Sequence, residues 1–554
     1  MAVTIPENVP GTVHLVDLDH NMSTAHLGET GDIVLVPSPS ADPEDPLNWN
    51  PGRKRLAVWS AYVYIWGVGL ATANQYSILT PLSQETGITL TQLNLGTGLM
   101  FLFLGWSCLI WQPLALVYGR RGVYILSAIL SMIPCIWSVY SKSAGEWYAH
   151  RILLGIFASP SESLPEVTIP DLFFAHNRGF YMALYAFLLF GSNFFAPFCA
   201  GFINDAGGWR WVMWFGVIAL ACSALFCFFF MEETMYFRST LEGLEGTAPV
   251  PGAVSLPVDE EKSPSLEKSA KAFAVSADDS SPQGSTIGMG QTFRPPKTYV
   301  QKLWPFTAHP DRPSNKQLFT MMYRPLIIII CFPCTLWSGL LYGTNLSWYN
   351  VLNGTMSLIL TAAPYNFSAS LVGVAYMAPL IGAAFACLWS GFYADKLAIW
   401  FAHRNGGVRE AEHRLWSLLV SGFIAPVGLI VWGVGAAHQI HWIGLMFGIG
   451  MLTFSVVCGG ATALSYNVDC FKDLAGETLI AVIIVRNTLG FGFSYAITPW
   501  VDNQGLIRTF VAVGMVALAA TLTFLIMVYA GKRLRRFSAK RYYAYVATSV
   551  AGAH

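Results

Sequence analysis

Charge is what this chain has least of. Only 12% of its 554 residues are Asp, Glu, Lys or Arg, while 54% are hydrophobic; a soluble protein carries about 25% charge. Mean hydropathy is +0.48. Such a chain reads as a polytopic membrane protein, embedded in a lipid bilayer. Acidic and basic residues balance at 32 each, so no nucleic-acid partner is indicated. No G-x-x-x-x-G-K-[ST] phosphate loop occurs, which argues against an ATP-driven pump. Clustered His, Cys or Asp at a membrane face are also missing, which argues against an enzyme, a metal site or a cofactor. No cleavable, positively charged signal peptide is evident. Residues 1–55 are polar, and the apolar run from Leu56 is expected to act as its own insertion signal. Ten cysteines are present. Nine lie within apolar runs and Cys470 ends another, so they read as packing residues rather than disulfides or ligands.

Long apolar runs are abundant. A helix needs about 20 apolar residues to cross a bilayer. Such runs fall near 56–80, 93–117, 122–141, 147–171, 180–204, 209–231, 325–350, 370–394, 414–437, 441–466, 475–500 and 506–530. The pattern predicts an all-α integral membrane protein whose twelve transmembrane helices form two six-helix, pseudo-symmetric halves. The expected organisation is a cytoplasmic tail (1–55), a first half (56–231), a largely disordered cytoplasmic linker (232–324), a second half (325–530) and a cytoplasmic tail (531–554). The linker's 239–297 stretch is rich in Ser, Pro, Gly, Glu and Lys. Residues 298–323 suggest an interfacial helix. Lys and Arg concentrate on the side that holds both termini, which places that side inside. Asn353-Gly-Thr and Asn366-Phe-Ser, after span seven, are glycosylation sequons on the side expected to be outside.

The halves echo each other. Gly119-Arg120-Arg121-Gly122 follows span two, and Gly391-Phe-Tyr-Ala-Asp395-Lys396 follows span eight. Paired six-span halves with a site between them suit alternating access. Asp45-Pro-Leu-Asn-Trp49, Arg151-Ile-Leu-Leu-Gly155, Ala196-Pro197 with Ala200-Gly201, Trp209-Arg-Trp211 and Glu232-Glu233-Thr234 occur in this order. In that register the chain resembles the major facilitator superfamily, in particular its twelve-span fungal drug:proton antiporters. Pro165-Glu166 to Asp171, with His176-Asn177-Arg178-Gly179, is similar to the branch that handles polyamine-like cations. Two departures stand out. Leu116 and Val117 replace the acidic and basic residues that usually precede the Gly119 turn, and Ala196 replaces a usual glycine. Asp171 is one candidate to supply the missing carboxylate.

Span four is the anomaly. It holds Arg151, Glu162 and Glu166, although a charge at mid-membrane costs on the order of 2.5–3.5 kcal/mol on insertion scales. On an unbroken helix Arg151 and Glu162 fall about 20° apart and about 16 Å along the axis, too far to bond each other. Glu162 is the first candidate proton carrier and Glu166 the second, since no Asp or Glu lies in span one. Arg151 orders the outer cavity or snorkels to the outer surface. Arg486 in span eleven opposes Glu162, binds an anionic solute, or makes a structural hydrogen bond. Asn74, Gln75, Asn193, Tyr342, Asn345, Tyr466 and Asn467 are candidate cavity-lining residues. Gly119, Arg120, Arg121, Asp171, Arg178, Asp395 and Lys396 are candidate gating residues, expected to pair across the inner ends of the halves. Together these residues suggest a secondary transporter of small organic solutes and protons, working as a monomer. Proton-coupled efflux of amphipathic or cationic compounds across the plasma membrane is favoured. Uptake of an organic cation such as a polyamine, and a non-transporting solute sensor, are the alternatives.

Overall fold

The computed structural model describes residues 9–14, 26–27, 33–34, 42, 44–236, 304, 314–405 and 408–548. The expected 239–297 linker lies outside these residues.

Local chemistry starts each helix. Pro51 opens span one (Pro51–Ala73), and the Asn50 side chain accepts from Gly52 N, satisfying an amide that has no partner within the helix. Thr89 and Gln92 form a reciprocal capping box at the head of span two (Leu90–Tyr118). Span three (Arg120–Tyr140) follows directly, its first two amides donating to the Glu233 carboxylate from the end of span six. Span four is broken at Ser159 into Ala144–Ala158 and Pro160–Leu172. Proline lacks the amide needed to continue the ladder. Spans five and six are Ala175–Gly207 and Trp209–Phe230.

The second half departs from the sequence reading at span seven. Asn315–Cys331 and Pro333–Thr361 are separate helices bent by 91°. The first exposes Phe319, Tyr323 and Ile330, as a helix at the bilayer surface would. Pro333 restarts the chain as the crossing helix, so span seven begins and ends later than the 325–350 run. Asn353 consequently lies inside that helix, fully buried. It is therefore not the exposed loop sequon that the apolar run implied. Asn366 stays in an exposed turn. Span eight is assembled from Ala369–Ala375, Met377–Leu388, a π-turn at Trp389–Tyr393 and Ala394–Arg404. Spans nine and ten are Leu418–Ala437 and Trp442–Cys470. Ala475–Leu522 contains two crossings, because Gly505 (φ 74°) breaks it. The left-handed backbone there suits glycine.

Among the described residues nine helices are long and apolar enough to cross a membrane, or ten counting the bent pair as one span. The broken span four and the Gly505 break supply the others, so the helices read as six and six. Large apolar side chains such as Ile110, Ile133, Leu225, Phe385 and Phe447 remain exposed on the outer faces, consistent with a lipid-facing belt. The halves meet where span two packs along span eleven and span five packs along span eight.

A buried charge cluster ties the inner end of the second half together. Arg535, on the terminal helix Phe524–Thr548, is 0% exposed and binds Glu410 at 2.7 Å and Glu412 at 2.6 Å. It also donates to the Pro10 carbonyl. A short strand, Thr12–His14, pairs antiparallel with Val408–Glu410 beside it. Arg535→Ala would strip buried Glu412 of its countercharge and leave Glu410 with Lys532 and Thr12; it is expected to cost about 3–5 kcal/mol of stability, read as a lower melting temperature in detergent. Burial alone would raise the Glu410 carboxyl, but hydrogen bonds from Lys532 and Arg535 hold it below its ordinary value. A carboxyl depressed in the folded state stabilises above its unfolded pKa, about 4.3, and loses that contribution as pH falls through the folded value. The wild-type melting temperature should therefore fall more steeply below about pH 4.5 than that of Glu410→Gln.

Candidate functional site

Two glycines let the site-bearing helices approach. A methyl group on Gly155 would lie 2.3 Å from the Met100 carbonyl oxygen, and one on Gly105 would lie 2.7 Å from Asn487 Cβ. Both distances are too short for real atoms. Span four is thereby seated on span two, and span two on span eleven. This seating brings a carboxylate from the first half to a guanidinium of the second.

Glu162 Oε2 accepts from Arg486 Nη2 at 2.6 Å, with side chains 12% and 4% exposed. The ion pair bridges spans four and eleven across the halves. Two further groups set Arg486. Its guanidinium lies 4.7 Å from the Tyr342 ring centroid on span seven, a cation–π contact. Nη2 also donates to Asn487 Oδ1 at 3.2 Å. Glu166, one turn beyond Glu162, is buried, and its Oε2 has no hydrogen-bond partner among the described residues. Tyr185 of span five donates to the Glu162 carbonyl at 3.4 Å. The centre thus combines two carboxylates, one guanidinium and two phenols, contributed by spans four, five, seven and eleven.

Arg151 is held apart from this centre. Its Nη1 donates to the Thr72 carbonyl at 3.4 Å, and its guanidinium stacks 4.7 Å from the Trp147 ring centroid. At 2% exposure it is buried rather than snorkelling. The hydrogen-bond ladder between its helix and that of Glu162 is interrupted at Ser159, where Pro160 supplies no amide, while Ser159 keeps right-handed helical dihedrals.

The other cavity candidates scatter. Gln75 donates to Thr97 at 2.9 Å near the seam. Asn74 turns into the first half and donates to the Val212 carbonyl at 3.0 Å. Asn193 bonds back to Leu189 of its own helix at 2.8 Å. Asn345 bonds back to Leu341 at 2.8 Å and packs on Gly459 of span ten. Tyr466 packs edge-on against Trp337, and Asn467 donates to Thr478 at 3.0 Å. These last three sit inside the second half, not on the axis between the halves.

The gating residues also depart from expectation. Arg120 pairs with Asp171, both 2% exposed and both in the first half. Arg414 meets Asp469 within the second half at 3.8 Å. Among the described residues, ion pairs at the inner ends join residues of the same half. The reason is geometric: each arginine sits at a helix end whose nearest carboxylate ends a neighbouring span of that half. Gly119 forms the turn, and Arg121 donates to the carbonyls of Met231 and Phe228 at 2.7 and 2.6 Å. Lys396 is exposed, and the side chains of Arg178 and Asp395 lie outside the described part. Sequence reasoning missed Tyr185, whose only signal was a phenol amid apolar residues. It also missed Glu233 as a helix cap and the Tyr76–Tyr349 contact, with centroids 6.2 Å apart, that closes the outer end between spans one and seven.

Two six-helix halves clasping one charge centre define a polytopic membrane transporter rather than an enzyme. Residues 62–471 match the Major Facilitator Superfamily, and the chain belongs to that family. It is 28% identical to an uncharacterized MFS-type transporter of Schizosaccharomyces pombe over 98% of this chain and 95% of the relative. It is also 28% identical to Protein HOL1 of Saccharomyces cerevisiae, over 97% of each chain. The MFS-type transporter atr4 of Stereocaulon alpinum is 26% identical over 90% of this chain and 82% of its own. In fold the chain resembles a POT family transporter solved with a thioalcohol-conjugated peptide, with TM-score 0.58, 10% identity, and 87% and 96% of the two chains covered.

Removing one partner of a buried pair strands the other charge. Arg486→Met should therefore lower stability by about 3–5 kcal/mol, and adding Glu162→Gln should recover much of that loss. Thermal unfolding of the single and double variants in detergent checks this.

Proposed function

We propose that this protein is a proton-coupled transporter that exports amphipathic or cationic organic compounds by alternating access. One observation carries the reading: among the described residues, the Glu162–Arg486 pair is the buried ion pair that joins the two halves, and Glu166 stands one turn away without a countercharge of its own. With both glutamates ionised the centre holds one negative charge more than Arg486 neutralises. A cationic solute or a proton relieves that excess, and the two compete for the same carboxylates. This competition is the elementary requirement of exchange between proton and solute. A cation that reaches Glu162 must also displace Arg486, which loosens the bond between the halves. Binding is thereby linked to the rocking of one half against the other. The phenol faces of Tyr342 and Tyr185 suit a flat or cationic group. Uptake of an organic cation would use the same charges, so the direction of the coupled gradient decides between the two. The chain is proposed to work as a monomer in the plasma membrane.

The test is flux in reconstituted vesicles with an imposed pH gradient of either sign, over a panel of polyamines, aromatic cations and organic acids. Proton-driven movement of cations is expected in wild type. Glu162→Gln should abolish it while leaving the protein folded and membrane-embedded. Flux that is unchanged in Glu162→Gln across pH would remove Glu162 as the carrier. Absence of any flux in wild type would favour a sensor.

A further inference from the structure

Outward of the charge centre, along span seven, lies a second group of polar side chains with a different character. Asn353 is 0% exposed, and among the described residues neither its Oδ1 nor its Nδ2 meets a partner at hydrogen-bond geometry, the Tyr349 hydroxyl being the polar group beside it. Tyr349, one turn earlier, and Tyr376, at the junction within span eight, are buried, and among the described residues their hydroxyls meet no partner at hydrogen-bond geometry. Tyr349 and Asn353 stand beside each other, and Tyr76, Tyr349 and Tyr376 lie within electrostatic reach of one another. Tyr349 sets its ring edge-on to Tyr76, in the turn after span one, and to Phe194 of span five, with centroids 6.2 and 5.5 Å apart. This face of span seven is therefore turned to the first half, on the seam that alternating access must open.

Buried polar groups in native proteins are nearly always paired, because an unpaired one forfeits its hydrogen bonds to water. Here three side chains on one seam leave four such atoms without a partner at hydrogen-bond geometry among the described residues, and none of the three is charged. A purely structural seam would be filled with apolar side chains at lower cost. An amide offers one donor group and one acceptor, and the phenols add either. That set, walled by aromatic rings, is complementary to a hydroxyl- or carbonyl-bearing aromatic ring. Tyr342, which holds Arg486, is 11 residues before Asn353, about 16 Å along the helix. We propose that Asn353, Tyr349 and Tyr376 form an outer, uncharged subsite that binds the hydroxylated or carbonyl-bearing aromatic part of an amphipathic cation. It rests on the reading of the protein as an organic-cation transporter.

The test is equilibrium binding to the full chain in lipid nanodiscs, using two cationic probes. Doxorubicin carries hydroxyl and carbonyl groups on its ring system, whereas tetraphenylphosphonium has no hydrogen-bonding group. Asn353→Leu keeps the volume and removes the amide. It is expected to weaken doxorubicin about tenfold or more, while tetraphenylphosphonium stays within about twofold. Because the amide is unpaired in the folded protein, the melting temperature of Asn353→Leu should hold or rise. Tyr376→Phe should discriminate between the probes in the same direction. Doxorubicin affinity unchanged in both variants overturns the subsite. So does an equal loss of both probes with a lowered melting temperature, which would mark Asn353 as structural. Wild type that binds neither probe overturns the organic-cation reading and the subsite with it. Discrimination by Asn353→Leu, with both probes unaffected by Glu162→Gln, leaves the subsite standing and removes the charge centre as the cation site.

Discussion

A carboxylate and a guanidinium deep within a bundle of apolar helices are each unfavourable alone, and their meeting sets the terms for the rest of the fold. Glu162 and Arg486 come from different halves and bond at 2.6 Å. Their contact requires span two to lie close against both span four and span eleven, which Gly155 and Gly105 permit. The pair therefore depends on packing that extends well beyond it, and that packing joins the two halves.

Charges elsewhere are settled within one half. Arg120 binds Asp171, Glu233 caps span three, and Arg535 gathers Glu410 and Glu412. Each arrangement stiffens its own half, and at the inner end the halves share a neutral hydrogen bond from Gln112 to the Gly476 carbonyl at 3.1 Å. Two bodies that are internally braced, and joined among the described residues by a charge pair at mid-depth and by packing and single hydrogen bonds elsewhere, can move relative to each other as units. Bistable docking of rigid bodies is how a small change at a site becomes a large rearrangement. The outer contacts include Tyr76 against Tyr349 and Thr80 bonded to Ser357 at 2.9 Å. Neutral contacts of this kind carry no desolvated charge, so separating them is cheaper than breaking a buried ion pair.

Much of the architecture was legible in the residues. The deficit of charge, the lengths of the apolar runs and the Gly119-Arg120-Arg121 turn lead to twelve crossings in two halves. The depth of Arg486 made it a candidate opposite Glu162, and that is where it lies. Other readings failed for identifiable reasons. Span seven was set too early because Pro325 through Ile330 is as apolar as a crossing helix, whereas the 91° bend depends on Phe332-Pro333 and on what packs there. Asn353 then passed from an outer loop into a buried helix face. Asn345, Tyr466 and Asn467 sit at cavity depth but point into their own half, since depth is set by residue number and direction by neighbouring helices.

The sequence by itself determined how much of this chain must leave water and roughly where, because transfer cost is a sum over consecutive residues. It also determined which charges would need an explanation. Which charge meets which was decided only by tertiary structure. Glu162 and Arg486 are 324 positions apart, and no periodicity connects them. Their contact exists because the two halves dock along spans two and eleven, and small residues there allow the approach that a single methyl group would prevent.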